Sequence, residues 1–498
     1  MDRPVARRVL AAGLALGVSA ETLFNGPALG INVPLSVTAL FVAAWLLRRS
    51  GTAPDPADAW LPVAAIVCAA FVALTGDRFL ALVDTAAALG FAGASVAAAS
   101  GVAVTRRSAE VIALLAVLAL EGVLAGAARV MRAARPAGGV PRRLPAQALP
   151  VMRGLAIGVP VALLFAVLFA SADPIFRRGM DDLLGFQLDL GDVPGRIVFA
   201  FACAWLAIGL LSVAATGLPA AAAGSLGAAA GWQTAGESRL PRLGGPEALI
   251  VLGLVDVVSG AFVALQVAYL FGGVDTLAAA GMTYSDYARR GFFELVAAAC
   301  LAGGLLVALE IAIVVRTRAY LAAALVLVVL TVVVLASAWL RLDLYQLAYG
   351  WTELRFYVAA SIVTLAVALG LGAALMALDR MRWLGHGLVA VGLVSLVGLN
   401  SMAPAAFVAD RNIQRVLHPE RVPADGWVGL DTGYLGALGD DAIPVLVEAV
   451  PLLPEPYRGE VLAQLHGRAL ELAEPAWTSP AAWNAARDRA RAALADLP

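Results

Sequence analysis

The chain alternates between long apolar blocks and short polar breaks. The blocks run for about 17 to 26 residues, and the breaks carry Arg, Pro or Gly. A helix of about 20 apolar residues crosses a hydrocarbon core about 30 Å thick. We therefore predict about twelve transmembrane helices, with eleven or thirteen as the alternatives. The predicted spans are residues 8–24, 29–47, 59–75, 79–104, 110–129, 151–172, 196–218, 248–272, 291–315, 319–340, 354–378 and 384–406.

The composition supports a membrane protein. Hydrophobic residues make up 61% of the 498 residues and charged residues only 14%, and the mean hydropathy is +0.85. A typical soluble domain is about 25% charged. Because backbone polar groups in lipid must be satisfied within the segment, apolar blocks of this length predict helices. We predict an all-α fold, a polytopic transmembrane helical bundle with a small C-terminal helical tail.

Shifts in composition divide the chain into four sections. N-terminal transmembrane helices occupy residues 1–130, and an Arg/Pro-rich loop follows at 131–150. A C-terminal transmembrane core covers 151–408, and a soluble helical tail with many prolines covers 409–498. We interpret the tail as a helical cap that packs against the membrane helices.

The arginines give conflicting orientations. Those around the first four spans fall on one side if the spans alternate, which predicts a cytoplasmic amino terminus. The loop at 131–150 and the arginine-bearing loops of the second half then fall on the other side. We predict twelve spans with both ends cytoplasmic; the alternative is an odd count with the tail outside. We also predict that residues 1–20 are retained, with cleavage as a signal peptide as the alternative.

Charge and cysteine usage exclude several classes of protein. A net charge of −1 and a pI near 6.3 lack the basic excess of a nucleic-acid-binding protein. The three cysteines and three histidines are scattered, with no pair at metal-ligand spacing, so we predict no metal site and no cofactor. Lipase-elbow, phosphate-loop and HExxH motifs are absent from the sequence, and we assign no catalytic residue.

One helix entry carries a candidate functional polar face. At 100° per residue, the positions that fall within a sector of roughly 80° are Tyr284, Tyr287, Gly291 and Glu294. This stripe of two phenols, a bare backbone patch and a carboxylate could line a cavity or bind a polar head group. The alternative is interfacial anchoring by the tyrosines with a helix contact at Gly291.

Ionisable residues within apolar blocks form a second candidate set. Their cost in a membrane is about 2.5–3.5 kcal/mol, so they normally face protein or water. The candidates are Glu121, Asp256, Glu310 and His386. Asp84, Asp256 and Glu310 lie close enough to span ends to reach water. A proton path would therefore rest on Glu121, Glu294 and His386.

Three stretches resemble a known family. The first, residues 171–176 (SADPIF), ends a span. The second is 262–273 (FVALQVAYLFGG) followed by 283–295 (TYSDYARRGFFEL). The third joins 409–413 (ADRNI) to 430–435 (LDTGYL) and 441–444 (DAIP). Together they resemble the bacterial membrane family catalogued as domain of unknown function 4173 and its relative 4153. The resemblance implies a multi-pass protein of the bacterial inner (cytoplasmic) membrane and brings no biochemical role. From these stretches we take Asp173, Pro174 and Gln266 as a candidate span-end motif.

Three functions stay open on this sequence. The first is a non-enzymatic membrane accessory protein that contacts the lipid bilayer and binds another membrane protein through its tail. The second is a proton-coupled or small-solute transporter. The third is a transferase acting on lipid-linked substrates, with Glu21 and Asp173 as candidate acids.

Overall fold

The fold is helical in every part that the structure describes. The computed structural model describes residues 2–48, 55–101, 103–106, 126–127, 129–134, 193–216, 244–271, 292–313, 315–423, 426–495 and 497. All regular elements in these ranges are helices, which confirms the predicted all-α fold with a helical tail.

Ten helices of the described residues build a bundle. They are α1 (Arg3–Phe24), α2 (Asn32–Leu47), α3 (Trp60–Val72), α4 (Arg78–Ala99), α5 (Val193–Thr216), α6 (Gly245–Phe271), α7 (Phe292–Ala312), α8 (Arg318–Tyr349), α9 (Glu353–Ala377) and α10 (Leu384–Met402). Six further helices form the tail, which we call the cap: α11 (Pro404–Leu417), α12 (Thr432–Ala437), α13 (Ile443–Ala449), α14 (Tyr457–Leu472), α15 (Pro475–Thr478) and α16 (Ala485–Ala495).

Several bundle helices could cross a membrane. Within the described residues, five are long and apolar enough: Arg78–Ala99, Gly245–Ala264, Arg318–Tyr349, Glu353–Ala377 and Met381–Met402. Four shorter apolar helices accompany them: Asn32–Leu47, Pro56–Val72, Phe199–Ala215 and Leu295–Glu310. The predicted count of twelve spans is not confirmed. Predicted span 151–172 and nearly all of 110–129 lie outside the described residues.

Small residues let the first helix pack closely against α5. A Cβ atom placed on Gly13 would come within 2.2 Å of Ile208, and one on Gly17 within 2.5 Å of Ala204. Because the contact positions rise along α1 as they fall along α5, the two helices are antiparallel. Two small residues four apart are a common means of close helix approach in membranes. Helix α5 is thereby fixed beside the amino-terminal helices.

The bundle has two ends, and loops from both halves of the chain meet at one of them. The Asp58 carboxylate accepts hydrogen bonds from the amides of Val104 (3.0 Å) and Thr105 (2.6 Å). The His386 ring donates from Nε2 to the carbonyl oxygen of Thr105 at 2.5 Å. Arg316 reaches Asp379 at 2.8 Å, which adds the α7–α8 loop. We call this end the arginine face.

The cap covers the opposite end, which we call the cap face. The Asn484 amide donates to the carbonyls of Val72 and Thr75, each at 2.9 Å, and the amide of Ala485 donates to Ala73 at 2.8 Å. The amide of Ile31 donates to the carbonyl of Trp483 at 2.8 Å. The cap thus pairs backbone groups in the two loops at 25–31 and 73–77.

Placing the loops corrects the predicted orientation. Helix α1 begins at the arginine face and ends beside the cap, so its first residues and the cap lie at opposite ends of the bundle. The prediction that both ends share one side is therefore wrong. The predicted separation of the early arginines from Arg316, Arg380 and Arg382 is also wrong, because Thr105 and His386 are in contact. Strict alternation requires that every apolar block cross the membrane once, so a single miscounted block inverts the predicted side of every later loop.

The cap has its own apolar core and a sharp junction with the bundle. Its core includes Ile413, Leu435, Leu446 and Leu465, all nearly inaccessible to solvent. Helix α10 ends at Ala403, whose φ of +46° breaks the helix, and Pro404 then starts α11. Proline suits a first helical turn because no hydrogen bond is lost there.

Candidate functional site

A cavity lies where the cap meets the α8–α9 loop. It has a volume of about 190 Å³ and takes its walls from both parts of the protein. Four aromatic side chains line it: Tyr349, Trp351, Trp427 and Tyr434. The polar lining consists of Thr352, Arg355, Asn412 and Asp431. The cavity therefore combines flat apolar surfaces with hydrogen-bonding groups.

The floor of the cavity is a loop that Asn412 holds in place. Its Oδ1 accepts the amide of Trp351 at 2.8 Å, and its Nδ2 donates to the carbonyl of Trp351 at 2.9 Å. Gly350, which ends α8, has a φ of +84°, and a Cβ there would come within 2.7 Å of Asn412 Oδ1 and Arg415 Nη1. Glycine meets both demands, since it accepts positive φ and occupies no side-chain space.

Arg415 joins two backbone segments beside the cavity, the end of α8 and the cap loop that contains Trp427. Its Nη2 donates to the carbonyls of Leu347 (3.1 Å), Ala348 (2.9 Å) and Trp427 (2.9 Å). Burial, with the like charge of Arg355, lowers the pKa of Arg415 from its ordinary value. The guanidinium offers several donors in one plane, so a single side chain can bind carbonyls from α8 and from the cap loop.

The remaining walls are set by Tyr434 and Arg355. The Tyr434 hydroxyl accepts the amide of Glu353 at 2.7 Å, which ties α12 to the start of α9. Burial raises the pKa of Tyr434, so the phenol stays neutral and can donate its proton. The Asp431 carboxylate caps α12 by accepting the amide of Tyr434 at 2.8 Å. Arg355 donates to the carbonyl of Gly350 at 2.5 Å and stacks over the ring of Tyr345.

A column of polar groups continues from this cavity into the bundle. Tyr357 donates from its hydroxyl to Asp77 Oδ2 at 2.6 Å, and Asp77 Oδ1 caps α4 by accepting the amide of Leu80 at 2.9 Å. The Glu353 carboxyl interacts directly with that of Asp77. Since Glu353 also bonds Tyr434 through its backbone, the column starts at the wall of the cavity.

Asp84 lies deeper in the same column. It follows Asp77 by seven residues, which places both on one face of α4 and about 10 Å apart along its axis. The Asn400 amide of α10 donates to Asp84 Oδ1 at 3.1 Å. Further into the bundle, the hydroxyls of Thr364 and Ser395 are 2.9 Å apart. The interpretation that Asp84 reaches water from a span end is wrong, because its side chain is completely buried.

The predicted polar face cannot be located. Tyr284, Tyr287 and Gly291 lie outside the described residues, as do Glu121, Asp173 and Pro174. The backbone positions of Glu294 in α7 and Gln266 in α6 are described, whereas their side chains lie outside the described part of the structure. These assignments stay predictions.

The other predicted ionisable residues are in separate environments. Glu310 forms an ion pair with Arg316 at the arginine face. His386 lies at the same face in the first turn of α10, where its buried Nδ1 meets no partner in the described ranges. Asp256 lies within α6, and its buried Oδ1 has no partner among the residues that the structure describes. Among the described residues, no group of three or more His, Cys, Asp or Glu side chains could hold a metal ion.

Sequence reasoning missed the residues that the structure brings together. Asn412 and Tyr434 lie in stretches singled out by the resemblance, so a signal for the cavity was present. Asn400 was also visible as an amide within an apolar block. Nothing in the sequence singled out Arg355 or Tyr357. Arg355 binds the carbonyl of Gly350, in a loop whose path the sequence does not predict, and Tyr357 binds Asp77, 280 residues away.

Comparison with known proteins places the chain in a family. A family model described as "Domain of unknown function (DUF4153)" matches residues 28–449, which include most of the bundle, α11 and the cavity. The resemblance to family 4173 is not confirmed. No curated protein and no solved structure matches the chain. Because the match covers well over half of its length, the chain belongs to the DUF4153 family of domains of unknown function.

Proposed function

We propose that this chain is a non-enzymatic membrane protein that binds a partner at the cap face through the cavity. The proposal rests on the lining of the cavity, to which the cap and the α8–α9 loop each supply aromatic and polar side chains. Pockets for drug-sized ligands measure about 300–1,000 Å³. A cavity of about 190 Å³ suits a single side chain or small polar group of a partner. Aromatic residues and arginine dominate the energetics of such anchor sites.

The charged side chains of the cavity restrict which chemical group of a partner can bind there. Arg355 and Asp431 bring opposite charges to the lining, and Asn412 is fully engaged by Trp351. A group with a single strong charge would meet one attractive and one repulsive wall. The cavity therefore favours an uncharged polar or aromatic group, for which the Tyr434 hydroxyl supplies a donor.

The orientation of the partner-binding face follows from the loops. At the arginine face the loops carry Arg48, Arg106, Arg316, Arg380 and Arg382. At the cap face the loops at 25–31, 73–77 and 350–352 carry none, and Arg78 and Arg196 lie in the first turns of α4 and α5. Short loops rich in arginine stay in the cytoplasm. The cap then lies on the outer side of a bacterial inner membrane, where it would meet partners from that compartment.

Site-specific photo-crosslinking in native membranes tests the proposal. A photoreactive amino acid replaces Trp427, which lines the cavity and is 48% exposed. The matched control replaces Trp483, which is 43% exposed and lies elsewhere on the cap. We expect a discrete crosslinked product from position 427 alone, and its loss on Tyr434→Phe, which removes the hydroxyl that would donate to the bound group. Identical products from both positions, or none from 427, would reject the proposal.

Two alternative functions have less support from the described residues. A transporter using Glu121, Glu294 and His386 stays a prediction, since only His386 has a described side chain and it bonds the Thr105 backbone. The transferase alternative named Glu21 as an acid. That carboxylate is bound by Arg196 at 2.6 Å and by the Asn25 amide at 3.0 Å, which gives it a structural role.

A further inference from the structure

The Asp84–Asn400 contact has two polar atoms that no described residue satisfies. Asp84 is completely buried, and its Oδ2 has no hydrogen-bond partner among the described residues. Asn400 Oδ1 is likewise buried without a partner in that part of the chain. Unsatisfied buried polar atoms cost about 1–3 kcal/mol each, and more when the group is charged. A contact that leaves two such acceptors unsatisfied is therefore unfavourable unless a donor lies between them.

The orientation of the Asn400 amide is fixed by its neighbours. Its two amide protons are donated to Asp84 Oδ1 at 3.1 Å and to the carbonyl of Leu396 at 3.0 Å. Rotating the amide by 180° would point its oxygen at these two acceptors. Asn400 Oδ1 must therefore be the acceptor that remains, and it needs a donor.

No cation among the described residues supplies the missing charge. The titratable groups of those residues that interact with Asp84 are the Cys68 thiol of α3, the Asp77 carboxyl preceding α4 and the Tyr357 phenol of α9. Each of these is neutral or negative, and α10 contributes the neutral amide of Asn400. With these neighbours, an ionised Asp84 would be a buried carboxylate without a counter-ion from the described part of the chain, which is strongly unfavourable.

One proton completes the contact. If Asp84 Oδ2 carries it, the O–H can be donated to Asn400 Oδ1 while Asn400 Nδ2 donates to Asp84 Oδ1. Both unsatisfied atoms are then paired in a two-bond ring between a carboxylic acid and an amide. Loss of the proton leaves both oxygens as acceptors without a donor and weakens the link between α4 and α10.

We propose that Asp84 is a proton-binding site of the bundle, which exchanges protons with the cap face through Asp77, Glu353 and Tyr357. The proton comes from water at the cap face, and the Asp84 carboxylate becomes a neutral acid on binding it. The column of Asp77, Glu353 and Tyr357 provides oxygen atoms along the two helical turns above Asp84. This site does not depend on partner binding at the cavity.

Infrared spectroscopy of the full-length protein in lipid nanodiscs tests the proposal. Aspartate labelled with ¹³C at its carboxyl separates aspartic acid bands from that of Glu353. We expect a protonated aspartic acid band at neutral pH that Asp84→Asn removes. The control Asp379→Asn, at an exposed position on the arginine face whose φ of +54° asparagine tolerates, should keep it. Persistence of the whole band in Asp84→Asn overturns the proposal.

Two further measurements do not need the Asp84 variant to fold. In Asn400→Ala the band should remain but shift to higher frequency, because the acid loses its amide partner. In Tyr357→Phe, deuterium exchange of the Asp84 proton should slow several-fold, because the hydroxyl bonded to Asp77 is gone. A spectrum of the unsubstituted protein with fully ionised aspartates at neutral pH would also reject the proposal.

Discussion

The loops at the two faces of the bundle are held by different mixtures of contacts. At the arginine face, partly exposed ion pairs accompany the buried bonds of Asp58, as in the pairs Arg106–Asp55 (2.6 Å) and Arg316–Asp379 (2.8 Å). At the cap face, buried backbone groups of the loops bond to the cap. Exposed ion pairs contribute about 0–1 kcal/mol, whereas a buried group left unpaired costs about 1–3 kcal/mol. The cap face should therefore be the more sensitive to substitution.

The largest expected effect is an all-or-none difference in labelling. In a background with the three cysteines replaced by alanine, Thr478→Cys in the cap and Arg382→Cys at the arginine face are compared. If the arginine-bearing loops lie in the cytoplasm, as we propose, a membrane-impermeant maleimide should label position 478 in intact cells and position 382 only after permeabilisation. The reverse pattern would invert our assignment of the faces.

The next effect is steric and tests whether the cap depends on close backbone contact. In Gly76→Ala, the new Cβ would come within 2.8 Å of the backbone amides of Asp440 and Asp441. Overpacking of this kind costs about 1–3 kcal/mol, and backbone cannot move aside as a side chain can. We expect a lower unfolding temperature and faster proteolysis of the cap.

Gly93→Ala is the matched control for Gly76→Ala. It lies in α4, where a Cβ meets nothing within 4 Å. Alanine is favoured over glycine in a helix by about 1 kcal/mol, so this variant should be as stable as the parent or more so. Equal behaviour of the two variants would show that the cap is not held by the contact at Gly76.

The smallest expected effect is a pH dependence of cap attachment. The Asp441 carboxylate accepts the amide of Gly76 at 2.5 Å and pairs with Arg489 at 3.1 Å. Burial nonetheless raises its pKa above the ordinary value of 3.8. The folded protein then holds more protons than the unfolded chain between these two values, so this group's contribution to stability is lost as pH rises through that window.

Thermal unfolding at a series of pH values measures this contribution. Asp441→Asn keeps an acceptor for the Gly76 amide but cannot ionise, so it should remove the part of the slope that Asp441 causes. At neutral pH the variant loses the ion pair with Arg489 but no longer buries a charge, so the two effects on stability oppose each other. If Asp441→Asn left the pH dependence of the unfolding temperature unchanged, burial would not be the main influence on the pKa of Asp441.

Apolar block length predicted the helices well but not their arrangement. Block 354–378 matches α9 closely and block 319–340 matches the start of α8, because local hydrophobicity decides where a helix enters lipid. Block 319–340 nevertheless falls short of Tyr349, where α8 ends. The last turns contain Arg341 and Gln346, both buried by packing that hydropathy does not register.

The candidate site was harder to predict because its residues are distant in sequence. Asp84 and Asn400 are 316 residues apart, and Asp77 and Tyr357 are 280 apart. Proximity to a helix end suggested that Asp84 reaches water. In the structure, α9, α10 and the cap cover that end of α4. The position of Asp84 along the helix therefore did not predict its burial. Asn412 was noted within a short stretch, but only the fold shows that it binds Trp351.

The contacts of Asn484 set an order for assembly. They join positions 409 and 412 residues apart, so the loop at 73–77 is synthesised long before the cap residues that bond to it. The carbonyls of Val72 and Thr75 must be solvated by water at the membrane surface during that interval. Closing so long a loop is entropically costly and slow. Docking of α16 is therefore a late event in folding. Until it occurs, the loop at 73–77 exposes unpaired backbone groups, and chaperones or proteases on the cap side of the membrane have access to them.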